Sequence, residues 1–369
     1  MAKRNGHIVD AARKTAQARD LFGPDSACLL MVSGGSDSTA LAYTMHELRQ
    51  SGDVGPVALL HVNHKLRGQD AEDDAEFCRQ LAEALNLPFF CCEVDVAREA
   101  QLAHTNLEAQ GRHERYLAAR EALSSVCMHE AVPLSEGRIL TAHTADDRIE
   151  SFYMRSIVGT GPGGFRSMLY RNGNVVRPLL DCTRSDLRSF VRGLAETEGA
   201  TVVLDERGNL WREDATNAHT DRFRAYVREL IVPKTREWDV RASDNLVRSM
   251  NLIADEDDML DAMADDVLND DAIMLIDGAP ERGWLLEPAF GQQARPLQRR
   301  CIHKVLKAML GPEERIDARS VERVLEAFAD ERPVSGHVDN IQGDIAVSAN
   351  KLGVRIEPMS EFRARRKKV

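Results

Sequence analysis

The sequence has no cysteine pair at the spacing that metal-binding or redox sites use. Its seven cysteines are scattered through 369 residues, and no two of them form a C-x-x-C pair. We therefore expect no zinc site, no iron–sulfur cluster and no disulfide scaffold, and buried free thiols are the default interpretation.

Long apolar segments and an excess of positive charge are missing as well. No apolar run approaches the roughly 20 residues that cross a bilayer, and residues 1–11 lack a signal-peptide core. We therefore expect a cytosolic protein without membrane contact. The 48 Lys and Arg against 59 Asp and Glu give a net charge of −11. This balance excludes a protein that coats nucleic acid through an overall positive charge, although a local basic face can still bind RNA.

Short apolar runs alternate with helical patterns from residue 27 to about residue 231. The runs cover residues 27–32, 56–61, 89–96 and 138–143, and the helical patterns cover residues 38–48, 72–85, 106–127 and 146–158. This alternation predicts an α/β fold with a doubly wound, mostly parallel sheet. Composition changes after Pro233, so we predict one domain over residues 1–237 and a second, smaller, mainly helical domain over residues 238–369.

A glycine loop between the first predicted strand and helix carries the sharpest chemical signal. Residues 33–38 read Ser-Gly-Gly-Ser-Asp-Ser. Two glycines let a phosphate approach backbone N–H groups at a helix N-terminus, and three serines add hydroxyl donors. Asp37 is best explained as a ligand of Mg²⁺ bound with a pyrophosphate. A capped glycine turn is the simpler alternative, but it explains neither the hydroxyls nor the carboxylate.

The loop resembles the PP-loop, S-G-G-x-D-S, of the N-type ATP pyrophosphatases, whose fold is that of the adenine nucleotide alpha hydrolases. Further stretches resemble the tRNA(Ile)-lysidine synthetases, and they cover residues 61–68, 106–116, 142–150, 177–180 and 211–217. Four residues depart from that family's pattern, namely Lys65, Thr144, Arg148 and Ala225. The ordered matches extend from about residue 29 to residue 230, far beyond one short motif.

The resemblance implies an activity, which we give as an expectation. ATP adenylates the C2 oxygen of the wobble cytidine in a CAU-anticodon tRNA(Ile), and pyrophosphate leaves. L-Lysine then displaces AMP, which yields lysidine and changes codon reading from AUG to AUA. ATP and Mg²⁺ are the implied cofactors, tRNA(Ile) and L-lysine the implied partners, and the second domain the implied tRNA-recognition region. Whether the chain forms a homodimer stays open.

The resemblance also implies roles for individual residues. The catalytic residues are Asp37, Arg112, Asp147 and Glu150. The ATP-binding residues are Ser33, Gly34, Gly35, Ser36, Asp37, Ser38, His61 and His143. The tRNA-binding residues are His64, Arg67, Arg115, Arg177 and Arg224. The Mg²⁺ ligands are Asp37 and Asp146, and which carboxylate holds lysine stays open.

Simpler interpretations exist for two of these groups. On spacing alone, Arg112 and Arg115 are better explained as a solvated helix face, and only the resemblance reverses that preference. Acidic residues at a helix N-terminus, such as Asp146 and Asp147, usually serve only the helix dipole. Contacts to RNA from Arg295, Arg299 and Arg300 in the second domain are a further expectation.

Two other function classes compete with lysidine formation. The first is another PP-loop tRNA modifier, such as a thiolase, although Cys91 and Cys92 are adjacent and point to opposite faces of a predicted strand. The second is a catalytically idle RNA-binding protein. The intact loop at residues 33–38 argues against that class, because a binding protein has no need for a magnesium-pyrophosphate site.

Overall fold

The chain forms two compact units in a computed structural model. The structure describes residues 2–213, 222–269, 272–311 and 314–367. The units are Met1–Asn251 and Leu252–Val369. Their division falls inside the helix Ala242–Leu268, and the predicted boundary after residue 237 lies shortly before that helix. Residues 214–217 of the family resemblance lie outside the described residues.

The first unit alternates strands and helices, as the sequence predicts. Its strands are β1 Ala27–Met31, β2 Val57–Asn63, β3 Phe89–Glu93, β4 Gly137–Leu140, β5 Arg171–Asn172 and β6 Val175–Val176. Its helices are α1 Ala2–Ala18, α2 Ser36–Gln50, α3 Gln69–Ala84, α4 Val96–Leu102, α5 Leu107–His129, α6 Ala145–Val158, α7 Pro162–Phe165, α8 Arg184–Ala195, α9 Arg222–Tyr226 and α10 Val232–Trp238. A π-helical turn, Val227–Ile231, joins α9 to α10.

The six strands form one sheet in the order β3-β2-β1-β4-β6-β5. All neighbouring pairs are parallel except β5 with β6, which is antiparallel. Both faces are covered, because alternate residues of β1 belong to different cores. Cys28 and Leu30 pack with residues of α1, α2 and α8, whereas Ala27 and Leu29 pack with residues of α5. The predicted doubly wound α/β fold is confirmed.

The strand order places a crevice at one edge of this sheet. The chain proceeds outward from β1 to β2 and β3 on one side, and β4 lies on the other side of β1. In open α/β sheets a ligand binds beyond the carboxyl ends of the two strands where the order reverses. Here those ends lead into residues 32–35 after β1 and residues 141–144 after β4.

The second unit combines helices with an antiparallel sheet. The elements are α11 Ala242–Leu268, which begins in the first unit, β7 Ile273–Leu275, β8 Trp284–Leu286, α12 Arg295–Leu310, α13 Ala318–Glu326, β9 Phe328–Ala329, β10 Arg332–Pro333, β11 Val338–Ile341, β12 Ile345–Asn350, β13 Gly353–Pro358 and α14 Met359–Lys367. Five strands form a sheet in the order β11-β12-β13-β8-β7. No helix in the described part of the chain is long and apolar enough to cross a membrane.

An ion pair between a fully buried arginine and a partly exposed aspartate fixes α6. Arg148 is fully buried, and its Nη1 donates to Asp181 Oδ1 at 2.9 Å and to the Tyr170 hydroxyl at 3.0 Å. Its guanidinium carbon lies 5.2 Å from the centre of the Tyr170 ring. Removing Arg148 would leave a cavity at a fully buried position and would also remove its hydrogen bonds to Asp181 and Tyr170.

We predict that Arg148→Ala lowers the free energy of unfolding by about 2–4 kcal/mol, because the loss of a large buried side chain leaves a cavity. Arg155→Ala on the same helix is the control, because exposed Arg155 donates only to the carbonyls of Gly164 and Ser167. It should cost only about 1 kcal/mol. Urea unfolding of both variants measures the difference, and equal losses would contradict a stabilising role for buried Arg148.

Candidate active site

The glycine loop after β1 has a backbone that requires glycine. Gly34 has φ +83°, and a Cβ atom there would lie 3.1 Å from Cγ of Arg212. The Arg212 backbone N–H also donates to the Gly34 carbonyl at 2.9 Å. The loop is therefore held against a segment that lies far along the chain.

Serine hydroxyls fix the interior of this loop. Ser38 Oγ donates to the Gly35 carbonyl at 3.0 Å and accepts from the Ser33 backbone N–H at 3.2 Å. Helix α2 begins at Ser36, and its N-cap residue Gly35 has no side chain with which to cap the first turn. The arrangement has the features of an anion site, namely N–H groups at a helix N-terminus beside hydroxyl donors.

One arginine connects this loop to the loop after β4. Arg184, the first residue of α8, donates from Nε to Asp37 Oδ2 at 3.0 Å and from Nη2 to Asp147 Oδ1 at 3.3 Å. Its backbone N–H donates to Asp146 Oδ2 at 2.7 Å. The predicted carboxylates Asp37, Asp146 and Asp147 are therefore brought together, as their positions after neighbouring strands suggest.

The fourth predicted carboxylate, Glu150, lies one turn further along α6 and is almost fully buried. Arg228 donates to both of its oxygens, at 2.7 and 3.1 Å. Arg224 bridges Glu150 Oε2 at 2.7 Å and Asp147 Oδ1 at 2.9 Å. The carboxylates thus hold cationic side chains at hydrogen-bond distance, which is what an ammonium ligand requires.

The other oxygen of Asp147 belongs to a helix cap. Asp147 Oδ2 accepts from the backbone N–H and the hydroxyl of Thr144, both at 2.9 Å, in a capping box. Thr144 is one of the four departures from the family pattern, and it supplies a cap that fixes the carboxylate. Asp146 Oδ1 accepts from Arg236 Nη2 at 2.9 Å.

Burial and pairing shift the pKa values of Asp37 and Asp147 in opposite directions. Burial raises the pKa of Asp37, and the Arg184 guanidinium only partly opposes this. Burial also opposes ionisation of Asp147, but Arg184, the Thr144 N–H and neighbouring cations outweigh it, so the pKa of Asp147 is lowered. Asp147 is thereby held as an anion, whereas Asp37 is the carboxylate that gains most from an added cation.

The donor set fits Mg²⁺ only together with a phosphate ligand. Among the described residues, no group of three or more His, Cys, Asp and Glu side chains is arranged to hold a metal. Mg²⁺ is usually bound by one or two carboxylates plus substrate phosphates. Asp37 fits this mode, since it lies within the glycine loop at the start of α2. Both oxygens of Asp146 already accept hydrogen bonds, so its role as a metal ligand stays a prediction.

The three predicted histidines line the same region. His61 is buried, and its Nδ1 donates to the Val32 carbonyl at 2.9 Å. Burial lowers the pKa of His61, and it lowers the pKa values of His64 and His143 to about 4. His143 Nδ1 lies 2.8 Å from Thr141 Oγ1. The buried Nδ1 of His64 has no hydrogen-bond partner within the part of the chain that the structure describes.

Arginine side chains cluster at α5, near His143. The Arg112 guanidinium carbon is 5.1 Å from the Tyr116 ring centre, and Arg177 Nη1 donates to the Leu169 carbonyl at 2.8 Å. Burial lowers the pKa values of Arg115 and Arg177, and the Arg112 charge adds to this effect in both cases. Clustered cations of this kind favour an anionic ligand.

Several site residues escape prediction from the sequence. Arg184, Arg228 and Arg236 all bind the predicted carboxylates, and Arg188 Nε donates to Ser36 Oγ at 3.3 Å. Arg67, a predicted tRNA ligand, instead pairs with Asp74 at 2.7 Å. The position of Arg184 directly after a Thr183 cap is the one local signal that it begins a helix.

We predict that Gly34→Ala destabilises the protein more than Gly52→Ala does. Gly52 has φ +77° with open space around it, so alanine there costs only the backbone strain, about 1–2 kcal/mol. At Gly34 the contact with Arg212 adds about 1 kcal/mol. Urea unfolding compares the two variants, and equal losses would show that Arg212 moves aside at no cost.

We also predict that His143 makes stability depend on pH. The folded protein keeps this imidazole neutral down to about pH 4, whereas the unfolded chain protonates it near the ordinary histidine pKa of 6.5. Stability contributed by His143 is therefore complete above pH 6.5 and falls between pH 6.5 and pH 4. Between pH 4 and pH 6.5, the unfolding free energy of the wild type should therefore rise with pH. His143→Asn should reduce the slope of this rise by up to about 1.4 kcal/mol per pH unit.

Denaturant unfolding at several pH values measures this slope. His129→Asn, which changes an exposed histidine at the end of α5, is the control. An unchanged slope in His143→Asn would show that the imidazole is protonated equally in the folded and unfolded states.

Curated proteins share much of this sequence. The chain is 34% identical over 304 residues to the tRNA(Ile)-lysidine synthase of Thermus thermophilus, covering 80% of this chain and 52% of that protein. It is 26% identical over 333 residues to the tRNA(Ile)-lysidine synthase of Caldanaerobacter subterraneus, covering 90% of this chain and 65% of that protein. The predicted resemblance is thereby confirmed, and the chain spans about half to two thirds of the length of these curated relatives.

A solved structure shares the fold. A U34-tRNA thiolase from Methanococcus maripaludis superimposes with a TM-score of 0.51 at 15% identity, covering 69% of this chain and 81% of that one. The sequence profile of the PP-loop domain family matches residues 8–235, which include the glycine loop, the carboxylates and most of the arginines that pair with them. The chain belongs to the PP-loop domain family.

Proposed function

We propose that this protein joins L-lysine to C2 of the wobble cytidine in a CAU-anticodon tRNA(Ile), using ATP and releasing pyrophosphate and then AMP. The observation that carries the proposal is the bridge from Asp37 through Arg184 to Asp147. It places an anion-binding loop directly beside a pair of carboxylates that hold cations. A reaction between a nucleotide triphosphate and an amine needs these two kinds of site side by side.

The glycine loop would bind the phosphates of ATP. Residues 33–38 offer backbone N–H groups at the start of α2 and the hydroxyls of three serines. In the proposed reaction these donors stabilise negative charge that grows on the departing pyrophosphate. Asp37 would hold Mg²⁺ bound to those phosphates, and the ion would supply further charge neutralisation when present.

The acidic pair on α6 would hold lysine. Asp147 and Glu150 already accept hydrogen bonds from Arg224 and Arg228, so their oxygens are placed to receive an ammonium group. The lowered pKa of Asp147 keeps it charged for this role. A carboxylate beside the attacking amine can also accept its proton as the new carbon–nitrogen bond forms.

The cations near α5 would bind the tRNA and the developing adenylate. Arg112 lies over the Tyr116 ring, Arg177 is buried, and Arg115 on the same helix as Arg112 is exposed. A buried guanidinium with a lowered pKa gains from a phosphate ligand, because the anion restores the stabilisation that burial removed. We assign Arg112 to the phosphoryl charge, and Arg115, Arg177 and His64 to the tRNA.

The second unit would contribute tRNA recognition, as the resemblance implies. Its predicted RNA contacts are engaged within the unit, since Arg299 pairs with Glu322 at 2.6 Å and Arg300 with Asp261 at 3.1 Å. To bind RNA, these arginines would have to exchange their carboxylate partners for RNA phosphates. We propose that the reaction takes place in the cytoplasm, and a homodimer remains compatible with this assignment.

The cysteines argue against a sulfur-transferring alternative. Burial raises the pKa of Cys91 and Cys92, the two cysteines of β3, and it also raises the pKa of Cys78 and Cys182. A reactive cysteine needs a lowered pKa, because the thiolate is the nucleophile. The described cysteines therefore have the properties of structural thiols.

Radiolabelled lysine tests the proposal. The purified protein is incubated with unfractionated tRNA, ATP, Mg²⁺ and labelled lysine, and each component is omitted in turn. We expect ATP-dependent labelling of an isoleucine tRNA. Asp37→Asn should lower labelling by about 100-fold or more, while tRNA binding stays close to that of the wild type. Asp53→Asn, which changes a surface carboxylate paired with Arg13, is the matched control.

The other outcomes contradict the proposal in different ways. Release of pyrophosphate that depends on tRNA, without any incorporation of lysine, would indicate another PP-loop tRNA modifier. Binding of tRNA without either signal would indicate a binding protein. Equal loss of tRNA binding and labelling in Asp37→Asn would show that Asp37 has a structural role.

A further inference from the structure

Two stripes of side chains run along the segment from α9 to α10. One stripe contains Arg224, Arg228 and Arg236, which bind the carboxylates of the candidate site. The other stripe contains residues spaced four apart, namely Tyr226, Leu230, Lys234 and Trp238. Residues four apart are neighbours on a helix surface, so the second stripe forms one continuous face. The function proposed above does not use this face.

The second stripe lines an open groove of about 680 Å³. Trp238 is 93% exposed, and Tyr226 and Leu230 are each about half exposed. A tryptophan that is exposed to solvent leaves a large apolar surface in water, although burying that surface would be favourable. Three large apolar side chains in one groove therefore indicate a surface that a ligand covers.

The charge around the groove favours a polyanion. Residues 224–248 contain six Lys and Arg and four Asp and Glu, a balance of +2 in a chain of net charge −11. Lys234 pairs with Glu237 at 2.7 Å and Arg241 with Asp239 at 3.5 Å, all on the surface. Exposed pairs of this kind contribute little stability, so phosphates can replace the carboxylates.

The groove and the candidate active site lie on opposite sides of the same helical segment, because side chains two residues apart project in nearly opposite directions. Arg236 lies two residues before Trp238 on α10 and donates to Asp146 at 2.9 Å. Arg228 lies two residues after Tyr226 and binds Glu150 at 2.7 Å. A helix with its side chains is about 10–12 Å across, so an RNA loop whose target base reaches the carboxylates is long enough to extend over this segment to the groove. Single-stranded RNA is bound by aromatic side chains that stack on its bases beside cations that bind its backbone.

We propose that Trp238 and Tyr226 form a stacking platform for an unpaired nucleotide of the tRNA anticodon loop other than the base that is modified. The proposal rests on the function proposed above for the identity of the RNA. Lys234 and Arg241 contact the flanking phosphates, and Thr235 and Asn245 of the groove offer hydrogen bonds to the base edge. Trp238 thus binds RNA without taking part in the chemical steps.

The fluorescence of Trp238 tests the platform directly. A stem–loop RNA with the CAU anticodon is titrated into the protein, and a duplex of the same stem without the loop serves as the comparison. We expect the stem–loop to quench tryptophan emission and the duplex to leave it unchanged. Trp238→Phe should lose this quenching, because Trp211 is buried and Trp284 is partly buried.

Binding affinity supplies the second readout. Loss of one stacked base costs about 1–3 kcal/mol, so Trp238→Ala should weaken stem–loop binding by about 5- to 100-fold. Trp238→Phe keeps an aromatic face and should stay within about 3-fold of the wild type. Met128→Ala, which removes another exposed apolar side chain from the first unit, should bind as the wild type does.

Three results would overturn the proposal. Stem–loop affinity of Trp238→Ala equal to that of the wild type would exclude the platform. Equal quenching by the duplex would show that the loop nucleotide is not the ligand. A smaller particle for Trp238→Ala in sedimentation would show that a second copy of the chain covers the groove. The lysine-labelling assay is independent of these measurements, so its failure would remove the identity of the RNA but not the platform.

Discussion

The contact of Arg184 with both Asp37 and Asp147 is the interaction on which the candidate site depends. These carboxylates follow two different strands, and without a shared cation between them they would repel each other across the crevice. Arg184 comes from a third element, α8, and its backbone also binds Asp146. One residue therefore fixes the glycine loop, the start of α6 and α8 in a single arrangement.

Charge balance explains how so many carboxylates can lie in a largely buried place. The four carboxylates Asp37, Asp146, Asp147 and Glu150 are paired with the four guanidinium groups of Arg184, Arg224, Arg228 and Arg236. Burying an unpaired carboxylate would cost several kcal/mol, and pairing offsets most of that cost. Each of these arginines can be exchanged for a substrate cation without leaving the carboxylates uncompensated. The network is thus a stable resting arrangement of a site suited to charged ligands.

Much of the fold can be predicted because the relevant signals are local. The apolar run at residues 27–32 and the glycines after it mark β1 and its loop, and the structure has β1 at Ala27–Met31. Alternation of strands and helices then leads to the doubly wound sheet. The strands of the second unit are harder to predict, since β7 and β8 have three residues each and β8 pairs with β13, which lies far along the chain.

The site is only partly predictable from the sequence, for a physical reason. The carboxylates and the glycine loop stand out because each occurs at the end of a strand, where ligands bind. Arg184, Arg228 and Arg236 carry no such mark, because arginine is common on solvated helices. Their roles depend on acids up to 147 residues away, as for Arg184 and Asp37. The π-helical turn at Val227–Ile231, which directs Arg228 to Glu150, likewise has no recognisable local pattern.

The hydrogen bond between Gly34 and Arg212 has a consequence for the order in which the protein is made. The glycine loop is only a few residues long, yet its observed backbone is closed by a residue that is synthesised 178 positions later. A nascent chain that ends before Arg212 therefore lacks one wall of this loop, even when β1 and α2 have already formed. Because domains generally fold as units during synthesis, the loop reaches its final form only late in translation of the first unit. A ligand of the loop consequently acts on a nearly complete unit, and not as a nucleus on which the growing chain folds.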